Sequence, residues 1–223
     1  VNADPTSENF HVLCDALDCL AAIAQTIGND NFRPLAQETL QLGLRILDNS
    51  TDPDNRRAAY ALVGALAVVL KEELSPVLPN VVEQMIGTIQ SSEGIETLYD
   101  EEDKDGVDLY DDSESDNDFE EDIEIASSTT DDSEQCKYMV ENSYVDEKEQ
   151  ACRTLKELCS NVGAPFLPFL DKSFQEVFKL LNFPQDDMRK VAVDTLQEFC
   201  IMLNKVNTEE GKQGLQQALR MFI

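Results

Sequence analysis

RKVAVDTLQEFCIML, Arg189–Leu203, sets Ala192, Leu196, Phe199, Cys200 and Leu203 at offsets of 3, 7, 10, 11 and 14 from its first residue. Those offsets trace one stripe along a helix of 3.6 residues per turn. They recur from Lys148, on Ala151, Leu155, Leu158, Cys159 and Val162. They recur again from Arg56, on Ala59, Val63, Leu66, Ala67 and Leu70, and from Leu13, on Ala16, Leu20, Ile23, Ala24 and Ile27. Each set predicts a helix that buries this face. No stretch carries the alternation of a half-buried strand. The expectation is an all-α chain of seven or eight helices in antiparallel pairs, with no sheet.

A second kind of helix lies between these four, each opening near a proline. Pro34 leads Leu40, Leu44 and Leu47; Pro79 leads Met85 and Ile89; Pro168 leads Phe174, Phe178 and Leu181. Proline suits a helix start, where its missing N–H costs nothing. The joining stretches DNSTDPDN (Asp48–Asn55) and NFPQDD (Asn182–Asp187) are rich in turn formers and helix caps. The unit is therefore helix A, a short turn, helix B. Helix B patterns begin at 13, 56, 148 and 189, spaced by 43, 92 and 41 residues. Helix pairs with a period of about 40–47 residues mark HEAT or armadillo solenoids, and the missing short third helix favours HEAT. The spacing of 92 is one such period plus roughly 50 extra residues. This divides the chain into HEAT repeats over 1–91, an insertion over 92–144 between the A and B helices of one repeat, and HEAT repeats again over 145–223.

The insertion holds the charge. Net charge is −28 over 223 residues, and residues 93–134 alone hold 20 of the 45 acids and one of the 17 bases. Such a patch repels nucleic acid and anionic membrane and attracts basic protein. A solenoid repeat buries its faces only against its neighbours, so an insertion must leave by a turn. Composition predicts that this one builds no core and lacks fixed structure, with almost no amide protection over 96–138. Scattered apolar residues, Leu98, Tyr99, Val107, Leu109, Tyr110, Phe119, Ile123 and Ile125, read either as chance spacing or as short anchors for a partner.

Other chemistry is sparse. Cys14, Cys19, Cys136, Cys152, Cys159 and Cys200 include no CxxC pair, and the sequence has one histidine, His11. They read as small apolar residues rather than zinc ligands or nucleophiles. EEDKDGVDLYDD (Glu101–Asp112) puts Asp103, Asp105 and Gly106 on EF-hand positions. Glu101, Asp108 and Asp112 break that pattern, and no helix flanks it. No metal or cofactor is expected. No Walker loop, GxSxG elbow, HExxH or dinucleotide fingerprint occurs, so no enzyme is expected. No apolar run reaches membrane-spanning length, and the chain reads as a piece of something longer.

SSEGIETLYDEE (Ser91–Glu102), VENSYVDEKEQAC (Val140–Cys152) and FLPFLDKSFQEVFKLLNFPQDDMRKVAVDTLQEFC (Phe166–Cys200) resemble the flanks of the acidic loop in importin-β-type karyopherins. Over 1–90 the likeness is a compatible repeat pattern. The resemblance implies a nuclear import receptor that shuttles between cytoplasm and nucleus. It implies partners: Ran-GTP, phenylalanine–glycine nucleoporins, and basic cargo such as histones H3 and H4 and ribosomal proteins. It implies no direct contact with nucleic acid or membrane. Asp111, Asp112, Glu114, Asp116, Asp118, Glu120, Glu121 and Asp122 are the candidate cargo- and Ran-binding residues. Ser113 and Ser115 each precede an acid by three residues, the pattern acidophilic kinases prefer, and are candidate phosphorylation sites. The alternatives are a HEAT scaffold of another kind and an acidic histone chaperone.

Overall fold

The structure is a computed structural model that describes residues 7–98, 123–129, 135–206 and 209–221. Eight α-helices run through the described residues: α1 Ser7–Thr26, α2 Asn29–Asn49, α3 Pro53–Leu70, α4 Leu78–Gln90, α5 Asn142–Val162, α6 Leu167–Lys179, α7 Asp186–Lys205 and α8 Glu209–Arg220. Short 3-10 turns at Lys71–Leu74, Ala164–Phe166 and Leu180–Asn182 join some of them. α1, α3, α5 and α7 pack side by side in one row. α2, α4 and α6 lie against α3, α5 and α7 respectively, as a second layer. This is the helical solenoid that the repeat spacing predicts.

Local chemistry sets the helix ends. Asp52 caps α3: its side chain accepts from the Asn55 N–H at 2.9 Å, and Pro53 follows as the first helical residue. Pro79 and Pro168 each stand second in α4 and α6, where a proline was expected. Pro34 departs from that expectation. α2 starts at Asn29, so Pro34 lies inside the helix. The carbonyl it leaves without an intrahelical partner belongs to exposed Asp30, where water can meet it.

The core follows the periodic face in three of the four B helices. Ala59, Val63, Leu66, Ala67 and Leu70 are buried in α3, as are Ala151, Leu155, Leu158, Cys159 and Val162 in α5. In α7, Ala192, Leu196 and Phe199 are buried, with Cys200 and Leu203 half-buried. α3 is wedged between α1, α2 and α5, so Ala58, Leu62, Ala65 and Val69 on its other sides are buried as well. α1 breaks the pattern. It packs on α3 through Leu17, Ala21 and Ala24, while Leu13, Ala16, Ile23 and Ile27 of the predicted face are exposed. No described helix lies on that side of α1, so the stripe has nothing to bury against.

Threonine hydroxyls fix successive B helices to one another. Thr154 Oγ1 of α5 donates to the Tyr60 carbonyl of α3 at 2.9 Å, and Thr195 Oγ1 of α7 shares its proton between the Val191 carbonyl of its own helix at 2.8 Å and the Cys152 carbonyl of α5 at 3.2 Å. Both threonines are fully buried and occupy the same position of the repeat, as do Tyr60 and Cys152.

The insertion differs from the sheet-free expectation. Strands β1 Ile95–Leu98, β2 Ile123–Thr129 and β3 Gln135–Glu141 form an antiparallel sheet in the order β1-β3-β2. β1 pairs with β3 from Ile95↔Val140 to Leu98↔Lys137, and β2 pairs with β3 from Ile123↔Glu141 to Thr129↔Gln135. Most of the acids fall outside these segments. Once α4 and α5 hold the two ends side by side, pairing them closes only a short loop. The remaining acidic stretch lies outside the described residues.

Candidate functional site

The eight acids Asp111, Asp112, Glu114, Asp116, Asp118, Glu120, Glu121 and Asp122 lie outside the described residues. So do Ser113, Ser115 and the EF-hand-like Glu101–Asp112. What the structure does describe is the neck through which this insertion leaves the solenoid.

The neck is built on adjacent residues of α5. Glu147 Oε1 accepts from Arg56 Nε of α3 at 2.7 Å and from Thr88 Oγ1 of α4 at 2.9 Å. Arg56 spends its other donors on the Leu47 and Ser50 carbonyls, the Tyr60 hydroxyl and Thr88 Oγ1. The Tyr60 hydroxyl lies 2.9 Å from Thr88 Oγ1. Burial pushes the Tyr60 phenol up to about 12, although Arg56 beside it pulls the other way. Lys148, the next residue, is 2% exposed and donates to the Thr88 carbonyl at 2.6 Å and the Ser91 carbonyl at 2.5 Å. Burial lowers its pKa below the ordinary lysine value, against the opposing pull of Glu147. A buried ammonium is tolerable here because the end of α4 presents carbonyls that no helical N–H reaches, at the negative pole of the helix.

Beyond that set the chain is gripped by a glycine. Gly94 has φ +72°, and a Cβ there would stand 2.7 Å from the Tyr144 side chain. Its carbonyl accepts from the Glu141 N–H at 2.8 Å, one step before the Ile95↔Val140 pair. A polar cleft of about 360 Å³ opens beside the neck, lined among others by Ser50, Thr51, Glu93 and Tyr144. A second groove, of about 230 Å³, is apolar and runs between α6, α7 and α8, past Leu170, Phe174, Leu203 and Ala218.

The sequence marked Arg56 and Lys148 only as the first residues of two apolar patterns. Their shared chemistry was the available signal: three of the four patterns begin on a cation. Arg189, which begins the fourth, donates to the Phe183 and Pro184 carbonyls of its own preceding turn. Glu147, Thr88 and Gly94 carried no signal. Among the described residues no group of His, Cys, Asp and Glu is placed to hold a metal, and no helix is long and apolar enough to cross a membrane. Cys152 and Cys159 are buried, and the five described cysteines are free thiols.

No family model matches the chain. It is 38% identical to importin-4 of Mus musculus over 205 residues, which is 90% of this chain and 18% of the mouse protein. It is 37% identical to importin-4 of Homo sapiens over 216 residues, 95% of this chain and 20% of the human one. Its fold superposes on the karyopherin Kap121p, solved bound to the extreme C-terminus of the protein phosphatase Cdc14p. The TM-score is 0.63 at 15% identity, covering 93% of this chain and 20% of that one. The chain thus spans about a fifth of the length of these relatives. It corresponds to a segment of the importin-β-type karyopherins.

Proposed function

We propose that this segment belongs to a nuclear import receptor and that its insertion captures basic protein. The observation that carries this reading is the concentration of charge. Residues 93–134 hold 20 acids and one base in a chain otherwise built as a helical solenoid. Basic cargo segments are rich in Lys and Arg, and an acidic counterpart raises their encounter rate through many weak contacts. The likeness to importin-4 supports a transport role over catalysis, and a Kap121p complex with a phosphatase terminus supports protein cargo.

The finer assignments follow from the same reading. Asp111, Asp112, Glu114, Asp116, Asp118, Glu120, Glu121 and Asp122 are the capture residues, shared between cargo such as histones H3 and H4 or ribosomal proteins and Ran-GTP. Phosphorylation at Ser113 and Ser115 adds roughly −1.5 to −2 charge per site and tightens capture. The apolar groove between α6, α7 and α8 offers a surface for the phenylalanine side chains of nucleoporins. The protein shuttles between cytoplasm and nucleus.

The test replaces the eight acids by Asn or Gln and titrates a histone H3 tail peptide at low and high salt. Exposed ion pairs are worth about 0–1 kcal/mol each, so binding weakens by a few kcal/mol at most. The loss shrinks as salt rises. Equal affinities at low salt refute the capture role. Deleting the insertion separates a receptor from a pure acidic chaperone, because the receptor keeps some cargo and nucleoporin contacts through its helices and the chaperone loses every partner.

A further inference from the structure

The A–B junctions of two repeats differ by a whole insertion and yet share one polar staple. In the shorter junction, Arg56 opens the helix B pattern and donates to the carbonyls of Leu47 and Ser50. Ser50 is the C-cap of α2, and Leu47 lies three residues before it. In the longer junction, Lys148 holds the same place in the pattern and donates to the carbonyls of Thr88 and Ser91. Ser91 is the C-cap of α4, and Thr88 again lies three residues before it. The equivalent cation thus binds the equivalent pair of carbonyls, once across the short turn after Ser50 and once across the entire insertion.

We propose that Lys148 is a clamp that closes the neck of the insertion, fixing where and in what direction it leaves the solenoid. Three observations on this chain converge. Lys148 sits on the C-terminal root and binds only acceptors at the N-terminal root. Its neighbour Glu147 ties the same turn of α5 to Thr88 and Arg56, so the root cannot rotate without breaking a buried ion pair. Gly94 and Tyr144 then press the two roots together at a point that admits no Cβ. With the roots held, a load on the insertion falls first on these bonds and not on the apolar contacts of α3, α5 and α7. The clamp operates whatever the insertion binds, so it stands apart from the capture of basic protein.

Amide hydrogen exchange on the full chain tests this. Lys148→Met keeps most of the apolar stem of the side chain and removes its donors, leaving the buried Thr88 carbonyl and the half-buried Ser91 carbonyl unmet. Exchange across 87–95 and 141–144 should quicken by about tenfold or more, with α2 and α7 unchanged. Lys148→Arg should restore slow exchange, because an arginine performs this task at the equivalent position of the preceding repeat and the adjoining cleft gives room. Gly94→Ala forces the roots apart from the other side without touching a charge, and should loosen the same residues. Thr195→Val serves as a structural control: it lowers stability between α5 and α7 and leaves the neck as it was. If Lys148→Met and Gly94→Ala leave the neck as protected as wild type, the clamp is wrong. A Lys148→Arg chain as loose as Lys148→Met also overturns it. Should Lys148→Met unfold the whole chain, Gly94→Ala decides: loosening confined to the neck supports the clamp, and none rejects it.

Discussion

Arg56 and Glu147 stand 91 residues apart in sequence, yet Arg56 Nε lies 2.7 Å from Glu147 Oε1. Their side chains are 18% and 7% exposed, so both charges are nearly withdrawn from water. The pair joins α3 to the first turns of α5 and lets α5 resume the stack after the insertion.

Removing one partner strands the other. Glu147→Ala leaves Arg56 buried without its anion and is expected to cost about 3–5 kcal/mol. The double variant Arg56→Met with Glu147→Met should recover only the charge part of that loss, because the carbonyls of Leu47 and Ser50 still lose their donor. Urea denaturation of the single and double variants checks both statements. A single variant within about 1 kcal/mol of wild type would mean the pair is solvated.

Tyr60 predicts a loss of stability in alkali. Its folded pKa is about 12 against an ordinary value of 10.0, so the folded state keeps a proton that the unfolded state releases. The contribution is intact below pH 10 and is lost as pH rises through 12. Lys148 works in the opposite sense: its folded pKa lies below 10.5, so its share of stability grows as pH rises toward that value. Comparing wild type with Tyr60→Phe isolates the tyrosine. Between pH 9 and pH 11.5, wild type should lose more stability than the variant. Parallel curves would reject the assignment.

Gly64 sets the distance between α3 and α5. A Cβ there would meet Thr154 Oγ1 at 3.3 Å, and Thr154 is already committed to the Tyr60 carbonyl. Gly64→Val should therefore overpack the junction and cost about 1–3 kcal/mol, visible as a lower melting temperature. An unchanged melting temperature would show that the two helices can part freely.

The five described cysteines should differ sharply toward a thiol reagent. Cys19 is exposed, whereas Cys152 and Cys159 are buried, and burial pushes the Cys159 thiol up to about 12. The thiolate is the reactive form, so Cys19 should be modified first and the buried pair only on unfolding. Peptide mass mapping after brief alkylation reads this directly. Early modification of Cys152 would mean that α5 opens locally.

The helices were legible in the sequence because a helix face repeats locally. Ala151, Leu155, Leu158, Cys159 and Val162 can be read without knowing what covers them, and the turns announce themselves through Pro and Asp. The repeat length, and so the solenoid, followed from comparing four such faces. The position of the charge was equally plain, since 20 acids within 93–134 need no fold to be counted.

Tertiary structure decided what depends on neighbours. The stripe on α1 has the same spacing as that on α3, yet Leu13 and Ile23 are exposed where Val63 and Leu66 are buried, because only α3 has helices on all sides. The strands at the insertion's ends arise from placing Ile95 opposite Val140, a pairing between segments whose local sequence carried no strand signal. The clamp is the clearest case. Nothing in the order of residues says that Lys148 answers the carbonyls of Thr88 and Ser91, because a buried cation finds its acceptors by proximity in space. That proximity exists only after α4 and α5 have packed.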